Sequence, residues 1–340
     1  MPSLGKTGKI AAGHVERACG RSQRSAKNLG IRLTRREFLA SGLCLCCLPS
    51  AAMANAGGPF ATEEVAEGIH IRRGAYEDAT EANAGAIANI GFIIGREGVL
   101  VTDPGGSLID GERLRATIAQ TTGLPVKYVV MSHVHPDHVF GAAAFLADNP
   151  VFVGHARLKD TLEQRGAYYR GILSSLLGPE RTGTIVFPSM EIRDRAEIDL
   201  GGRVIEATAH EPAHTVCDLS LLDKKTGTLL PADLLFVERA PALDGSLRGW
   251  LKTLDGLRKQ ASPRAVPGHG PAAVDWPAGS ADLMRYLETL ERETRKAVAD
   301  GIGIESAIKT AAGSEREKWK LFGDYNSRNV AEAYRELEWE

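Results

Sequence analysis

The segment MSHVHPDHVFGAAAF (131–145) places His133, His135, Asp137 and His138 within six residues. It follows KYVVMS (127–132), which reads as a buried strand. A metal site needs more ligands than one loop supplies, so the cluster demands a fold that brings distant residues to the end of this strand. In extended chain, residues 133 and 135 point the same way and can grip one ion together. Asp137 and His138 fall after the turn at Pro136 and can face a second ion.

Candidates for the missing ligands stand where later strands end. His214 lies in HEPAHTVCD, Asp233 in LLPADLLF, and His269 in the Gly-rich elbow AVPGHG. A carboxylate has enough lone pairs to bridge two ions. The resulting set is His133, His135 and His214 on one metal, Asp137, His138 and His269 on the other, and Asp233 between them. His210 competes with His214, but the Pro-x-His-Thr context favours the latter. Cys217 is expected to be a small buried cysteine rather than a thiolate ligand. His70 and His155 have no motif around them, and Asp103 and Asp218 are expected to orient loops. Arg239 and Asp244 follow Asp233 in a loop and read equally as substrate contacts or as a surface salt bridge.

Element signals run through the rest of the chain. GIHIRRG (68–74) reads as a strand, and 87–106 as a hairpin around Gly95–Gly98. Helical patterns cover 108–121, 141–147 and 157–177, with a strand at 151–155. A second β-rich block, 196–209 and 218–236, turns at Gly201-Gly202 and near 225–227. A helix near 247–260, a short strand at 264–268 and an amphipathic helical tail over 280–339 complete the pattern. Two β-rich blocks, each followed by helices, imply an α/β fold with two packed sheets and helices on their outer faces.

In their order along the chain, His-x-His-x-Asp-His, a later His-Thr, an Asp after a strand and Pro-Gly-His-Gly resemble the metallo-β-lactamase superfamily over roughly 65–340. The resemblance implies a four-layer αβ/βα sandwich, two mixed sheets flanked by helices, with a dinuclear metal site on one edge. It implies hydrolysis, in which a hydroxide bridging two Zn²⁺ ions, with its pKa lowered from 15.7 toward about 7, attacks an ester, thioester, lactone or β-lactam-type carbonyl. Asp137 would orient it. Two positions depart from the family pattern: Ala213 and Ala232 stand where glycine is usual. Asp233 occupies the place where many true β-lactamases carry a metal-binding cysteine, which points to the wider hydrolase branch. ADLLFVERAPALDGSLRGWL and NVAEAYRELE resemble the exported quinoprotein relay-system metallohydrolases, which implies a periplasmic quinoprotein dehydrogenase or cytochrome as partner. Two alternatives are a mononuclear iron enzyme that oxidises persulfides or thiols and a non-catalytic metal-binding partner of a redox complex.

Charge and the chain's front end set the expected location. LTRREFLASGLCLCCLPSAAMANA (33–56) sets Arg35 and Arg36 before a short apolar run and small-residue sites between Ala52 and Ala56. It resembles a twin-arginine export signal over 1–56, with the hydrolase domain expected over 57–340 in the periplasm and no stable membrane anchor after cleavage. Cys19, Cys44, Cys46 and Cys47 precede that boundary, so Cys217 alone would remain and no internal disulfide is expected. Residues 1–56 hold nine Lys/Arg and two Asp/Glu, leaving 32 basic against 41 acidic residues beyond them. A negative body without a basic run argues against a nucleic-acid partner, and the expected substrate is a small molecule.

Overall fold

The computed structural model describes residues 58–339. The expected export signal, with Arg35, Arg36 and the first four cysteines, lies outside the described residues.

One sheet has seven strands in chain order: β1 (Glu63–Ala66), β2 (Ile69–Arg72), β3 (Ile90–Ile94), β4 (Val99–Thr102), β5 (Val126–Met131), β6 (Val151–His155) and β7 (Met190–Ile192). Pairing is antiparallel from β1 to β4 and parallel from β4 to β7. The switch follows from the connections. A tight turn at Gly95–Gly98 joins β3 to β4, whereas α1 (Leu108–Thr121) crosses from β4 to β5. Ser107 caps α1 by accepting from the Asp110 amide at 3.2 Å. The second sheet runs β8 (Arg195–Asp199), β9 (Val204–Ala209), β10 (Leu219–Asp223), β11 (Thr228–Phe236), β12 (Arg264–His269) and β13 (Val274–Asp275). Only β11–β12 is parallel there, joined across α5 (Leu247–Arg258).

Side-chain alternation makes the layers. Ile93, Leu100 and Val130 meet Ile205, Leu219 and Leu230 in a core between the sheets. Their neighbours Phe92, Val101, Val129 and Met131 point to the other face, where Leu114 and Ile118 of α1 and Leu158 and Leu162 of α3 (Leu158–Leu177) cover them. Both faces are therefore apolar, which is why these strands read as continuous hydrophobic runs. Outside the second sheet, Trp250 of α5 packs with Tyr286 and Leu287 of α6 (Ala281–Ala299) and Val330 of α8 (Phe322–Leu337). Each fully buried large apolar side chain contributes about 1.5–3 kcal/mol. The result is the expected four-layer sandwich.

The expected elements recur with shifts at their ends. The helix expected over 141–147 is instead a short α2 (Pro136–Val139) followed by tight 3₁₀ turns over Phe140–Asp148. Gly141 explains the tightness: a Cβ there would stand 2.0 Å from the Pro104 carbonyl, so backbone packs on backbone. The C-terminal tail is not one run but α6, α7 (Ile304–Thr310), a 3₁₀ turn and α8. A short α4 (Pro179–Thr182) and strands β1, β7 and β13 carry no comparable sequence signal. Among the described residues no helix is long and apolar enough to cross a membrane.

Candidate metal centre

The site forms where strands of both sheets end. Leaving β5, the chain is extended through His135 and then turns into α2 at Pro136, with the His138 amide donating to the His135 carbonyl at 3.1 Å. This turn sends Asp137 and His138 to a different side from His133 and His135, as the spacing requires. His214 comes from the β9–β10 connection, Asp233 from within β11, and His269 ends β12. All seven expected residues converge.

They form two groups. In the first, His133 Nε2 lies 3.1 Å from His135 Nδ1 and 3.3 Å from His214 Nε2, and His135 Nδ1 lies 3.0 Å from His214 Nε2. A zinc ion at its usual 2.0–2.1 Å holds tetrahedral ligands about 3.3 Å apart, so the spacing is that of a ligand set. In the second, Asp137 Oδ2 lies 3.5 Å from His138 Nε2 and 3.3 Å from His269 Nε2. Asp233 faces both. Its Oδ2 is 3.3 Å from His214 Nε2 and from His269 Nε2, and 3.8 Å from His133 Nε2. Its Oδ1 is 3.1 Å from His138 Nε2, yet neither atom makes an oriented hydrogen bond. Two buried polar atoms that close without a hydrogen bond fit a shared cation between them.

The opposite ring nitrogens are fixed from outside the cluster. His138 Nδ1 is 2.8 Å from Asp103, and His214 Nδ1 is 2.6 Å from the Ala242 carbonyl. His135 Nε2 lies 3.0 Å from Asp244, and His133 Nδ1 lies 3.0 Å from Ser132 Oγ. Asp103 also accepts from the Ser132 amide at 2.7 Å, so one carboxylate holds both the strand exit and a histidine. Such outer partners set each ring's tautomer and turn its lone pair inward.

Electrostatics support the same reading. Burial drives His133 and His214 downward, His214 to about 3, so their lone pairs stay free at neutral pH. Burial opposes charge on His138 too, but Asp233, Asp103 and Asp137 outweigh it and push this histidine well up. A site that draws a proton onto a buried histidine with three carboxylates would equally draw a metal cation. Burial would raise Asp137, but His138 and His269 hold it below the usual carboxylate range.

The two alanines that depart from the family pattern sit differently in the backbone. Ala232 has φ 48°, the left-handed region that favours glycine, so this position carries strain of about 1–2 kcal/mol. Ala213 has no such φ and is simply buried. Cys217 is buried and unpaired, its thiol pushed up to about 12 by burial and then by Asp218. His210 turns away to Ser220 Oγ at 2.7 Å, His70 stacks on Phe92, and His155 accepts from the Arg157 amide. Asp218 accepts from the Thr215 amide and hydroxyl, which shapes the turn after His214.

Arg239 and Asp244 do not pair with each other. Asp244 joins His135 to Arg165 Nη1 at 2.6 Å, and Arg239 is 3% exposed beside His269. The sequence signal for Arg239 was only its place after Asp233. Its burial comes from a β-bridge to Lys320, far along the chain. A cavity of about 480 Å³ opens over the cluster, lined by Tyr169, Phe236, Arg239, Tyr325 and Arg328 among others. That volume suits a small molecule.

Comparison with known proteins agrees with this geometry. The family described as "Metallo-beta-lactamase superfamily" matches residues 84–269. A linear primary-alkylsulfatase of Pseudomonas sp. (strain ATCC 19151) is 25% identical over 213 residues, which are 51% of this chain and 40% of that protein. The chain thus spans about two fifths of that relative's length. A metallo-β-lactamase from Pontibacter korlensis superposes with a TM-score of 0.54 at 18% identity, over 67% of this chain and 98% of that one. A double mutant of the sec-alkyl sulfatase PisA1 superposes with a TM-score of 0.64 at 17% identity, over 82% of this chain and 50% of that one. With a match across more than half its length and a His/Asp cluster that fits a dinuclear metal site, the chain belongs to the metallo-β-lactamase superfamily of hydrolases.

Proposed function

We propose that this hydrolase is zinc-dependent, holding one ion on His133, His135 and His214 and a second on Asp137, His138 and His269, with Asp233 between. The observation that carries this reading is the pair of ligand groups facing one carboxylate. When bound, a zinc pair supplies hydroxide near neutral pH and polarises the bond to be cut. The chain's own residues do the rest. Asp137, at the mouth of the cluster, orients the attacking oxygen. Phe236 and Trp250 back the His214 ring at 5.5 and 5.1 Å and keep water from behind it. Cys217 does not serve as a nucleophile, because it is buried with its thiol pushed up to about 12.

The substrate proposed is an ester, thioester, lactone or β-lactam-type carbonyl, and the alkylsulfatase relatives add sulfate esters to the same set. Asp233 in place of cysteine favours general esters over antibiotics. The leader over 1–56 supports export by the twin-arginine route to the periplasm, and ADLLFVERAPALDGSLRGWL with NVAEAYRELE supports a link to a quinoprotein dehydrogenase or its cytochrome. The test is metal analysis of the exported protein with a panel of these substrates. Two zinc ions per chain and turnover of at least one class are expected. One iron per chain with oxygen uptake on persulfide would overturn hydrolysis. An inert di-zinc protein that co-purifies with a dehydrogenase would make it a binding partner.

A further inference from the structure

We infer that the buried pair Arg72–Asp110 positions one of the two metal sites, acting on His269 and Asp137 through the backbone behind them. The inference rests on the two-metal reading above and adds the residues that hold one of its ligand groups in place.

Arg72 ends β2, and Asp110 lies in the first turn of α1. Arg72 Nη2 donates to both Asp110 oxygens, at 2.7 and 2.6 Å, and the two side chains are 10% and 2% exposed. A buried ion pair adds little net stability over apolar side chains of the same volume. What this pair does therefore lies in where its other groups point. Arg72 Nη1 donates to the Ala86 and Ala88 carbonyls, both at 3.0 Å. The Ile87 carbonyl between them lies 2.9 Å from His269 Nδ1. The next residue, Asn89, is buried and bound to β12. Its side-chain amide donates to the Pro267 and Pro271 carbonyls at 2.8 and 3.0 Å, and its backbone amide donates to the Gly268 carbonyl at 2.7 Å. Residues 86–89 thus hold His269 by its ring and by the backbone on both sides, and Arg72 fixes that stretch through its carbonyls.

Asp110 reaches the other ligand. Its Oδ2 also accepts from the Gly106 amide at 3.1 Å. Gly105 has φ 106°, and a Cβ there would stand 2.6 Å from the same oxygen, so the turn is wrapped onto the carboxylate. Gly106 in turn fills the gap between the Gly85 carbonyl and Asp137. A Cβ on it would stand 2.0 Å from the first and 3.2 Å from the Asp137 Cα. The pair therefore stands behind both Asp137 and His269. The His133, His135 and His214 group is held differently, by Ser132, Asp244 and the Ala242 carbonyl. Among the described residues, none of these three partners is bonded to Arg72 or Asp110.

The test is the stepwise release of zinc from the loaded protein to a chelating dye, in wild type, Arg72→Lys, Asp110→Asn and Asp137→Ala, with folding followed by circular dichroism. Asp137→Ala removes a ligand of one ion only and so marks the step that belongs to it. Arg72→Lys keeps the charge but loses the fork that spans two carbonyls and a carboxylate. It should weaken the marked step by about ten- to a hundredfold and leave the other step unchanged. Asp110→Asn should act on the same step; if it does not fold, Arg72→Lys decides alone. Equal weakening of both steps, or a lower melting temperature with both steps intact, would overturn the inference and leave the two-metal reading standing. A wild type that releases a single zinc ion would remove the two-metal reading and this inference with it.

Discussion

Each of the seven cluster residues is a chemistry-bearing side chain in a strand or in the segment that follows one, so sequence order alone could group them. Their outer partners were less legible. Ala242 acts on His214 through a backbone carbonyl, which every residue has, and Asp244 gains its role only because its loop folds back onto His135. Arg239 is buried by Lys320 and Tyr325, some eighty residues away, and no local pattern announces that. Cys217 shows the reverse case, where proximity to His214 suggests a ligand but burial decides otherwise. With its thiol pushed up to about 12, Cys217 should resist iodoacetamide at neutral pH in the folded protein and react after denaturation. Peptide mapping by mass spectrometry would read this, and fast labelling of native protein at Cys217 would contradict it.

At the scale of elements, the alternation of apolar and turn residues placed most strands and helices, because both sheets are covered on both faces. What it missed were short pieces, such as β7 and β13, that bury too few side chains to leave a period. The 3₁₀ turns after His138 depend on Gly141 meeting Pro104, a long-range backbone contact. The parallel pair β11–β12 matters most for the site. Gly268 of β12 passes so close to β11 that a Cβ would stand 1.9 Å from Asp233 Oδ1. Gly268→Ala should therefore displace the Asp233 carboxylate without removing any of the seven cluster side chains. The expected outcome is a folded protein by circular dichroism that loses one metal and most of its turnover. Full metal content in this variant would show that Asp233 does not need its present position.

Across the whole molecule, the helices outside the second sheet complete the site as well as the core. Asn329 of α8 accepts from the Leu243 amide at 2.9 Å and donates to the Pro241 carbonyl and to Tyr286 Oη, both at 2.8 Å. It thereby ties down the loop that carries Arg239, Ala242 and Asp244. The amphipathic tail was legible as packing, but this tie was not, since a helix's polar residues read as solvent-facing until a loop is laid over them. Asn329→Ala should weaken zinc binding by about ten- to a hundredfold through loosened His135 and His214, as judged by competition with a chelating dye. Unchanged affinity would confine α8 to a packing role.

The central claim is that one carboxylate joins two metal positions into one hydrolytic site. Zinc stoichiometry measured alongside turnover in wild type and Asp233→Ala tests it most directly. The account predicts two zinc ions per wild-type chain, no more than one in the variant, and no turnover there. Turnover retained by Asp233→Ala, or two zinc ions still bound to it, would contradict the account.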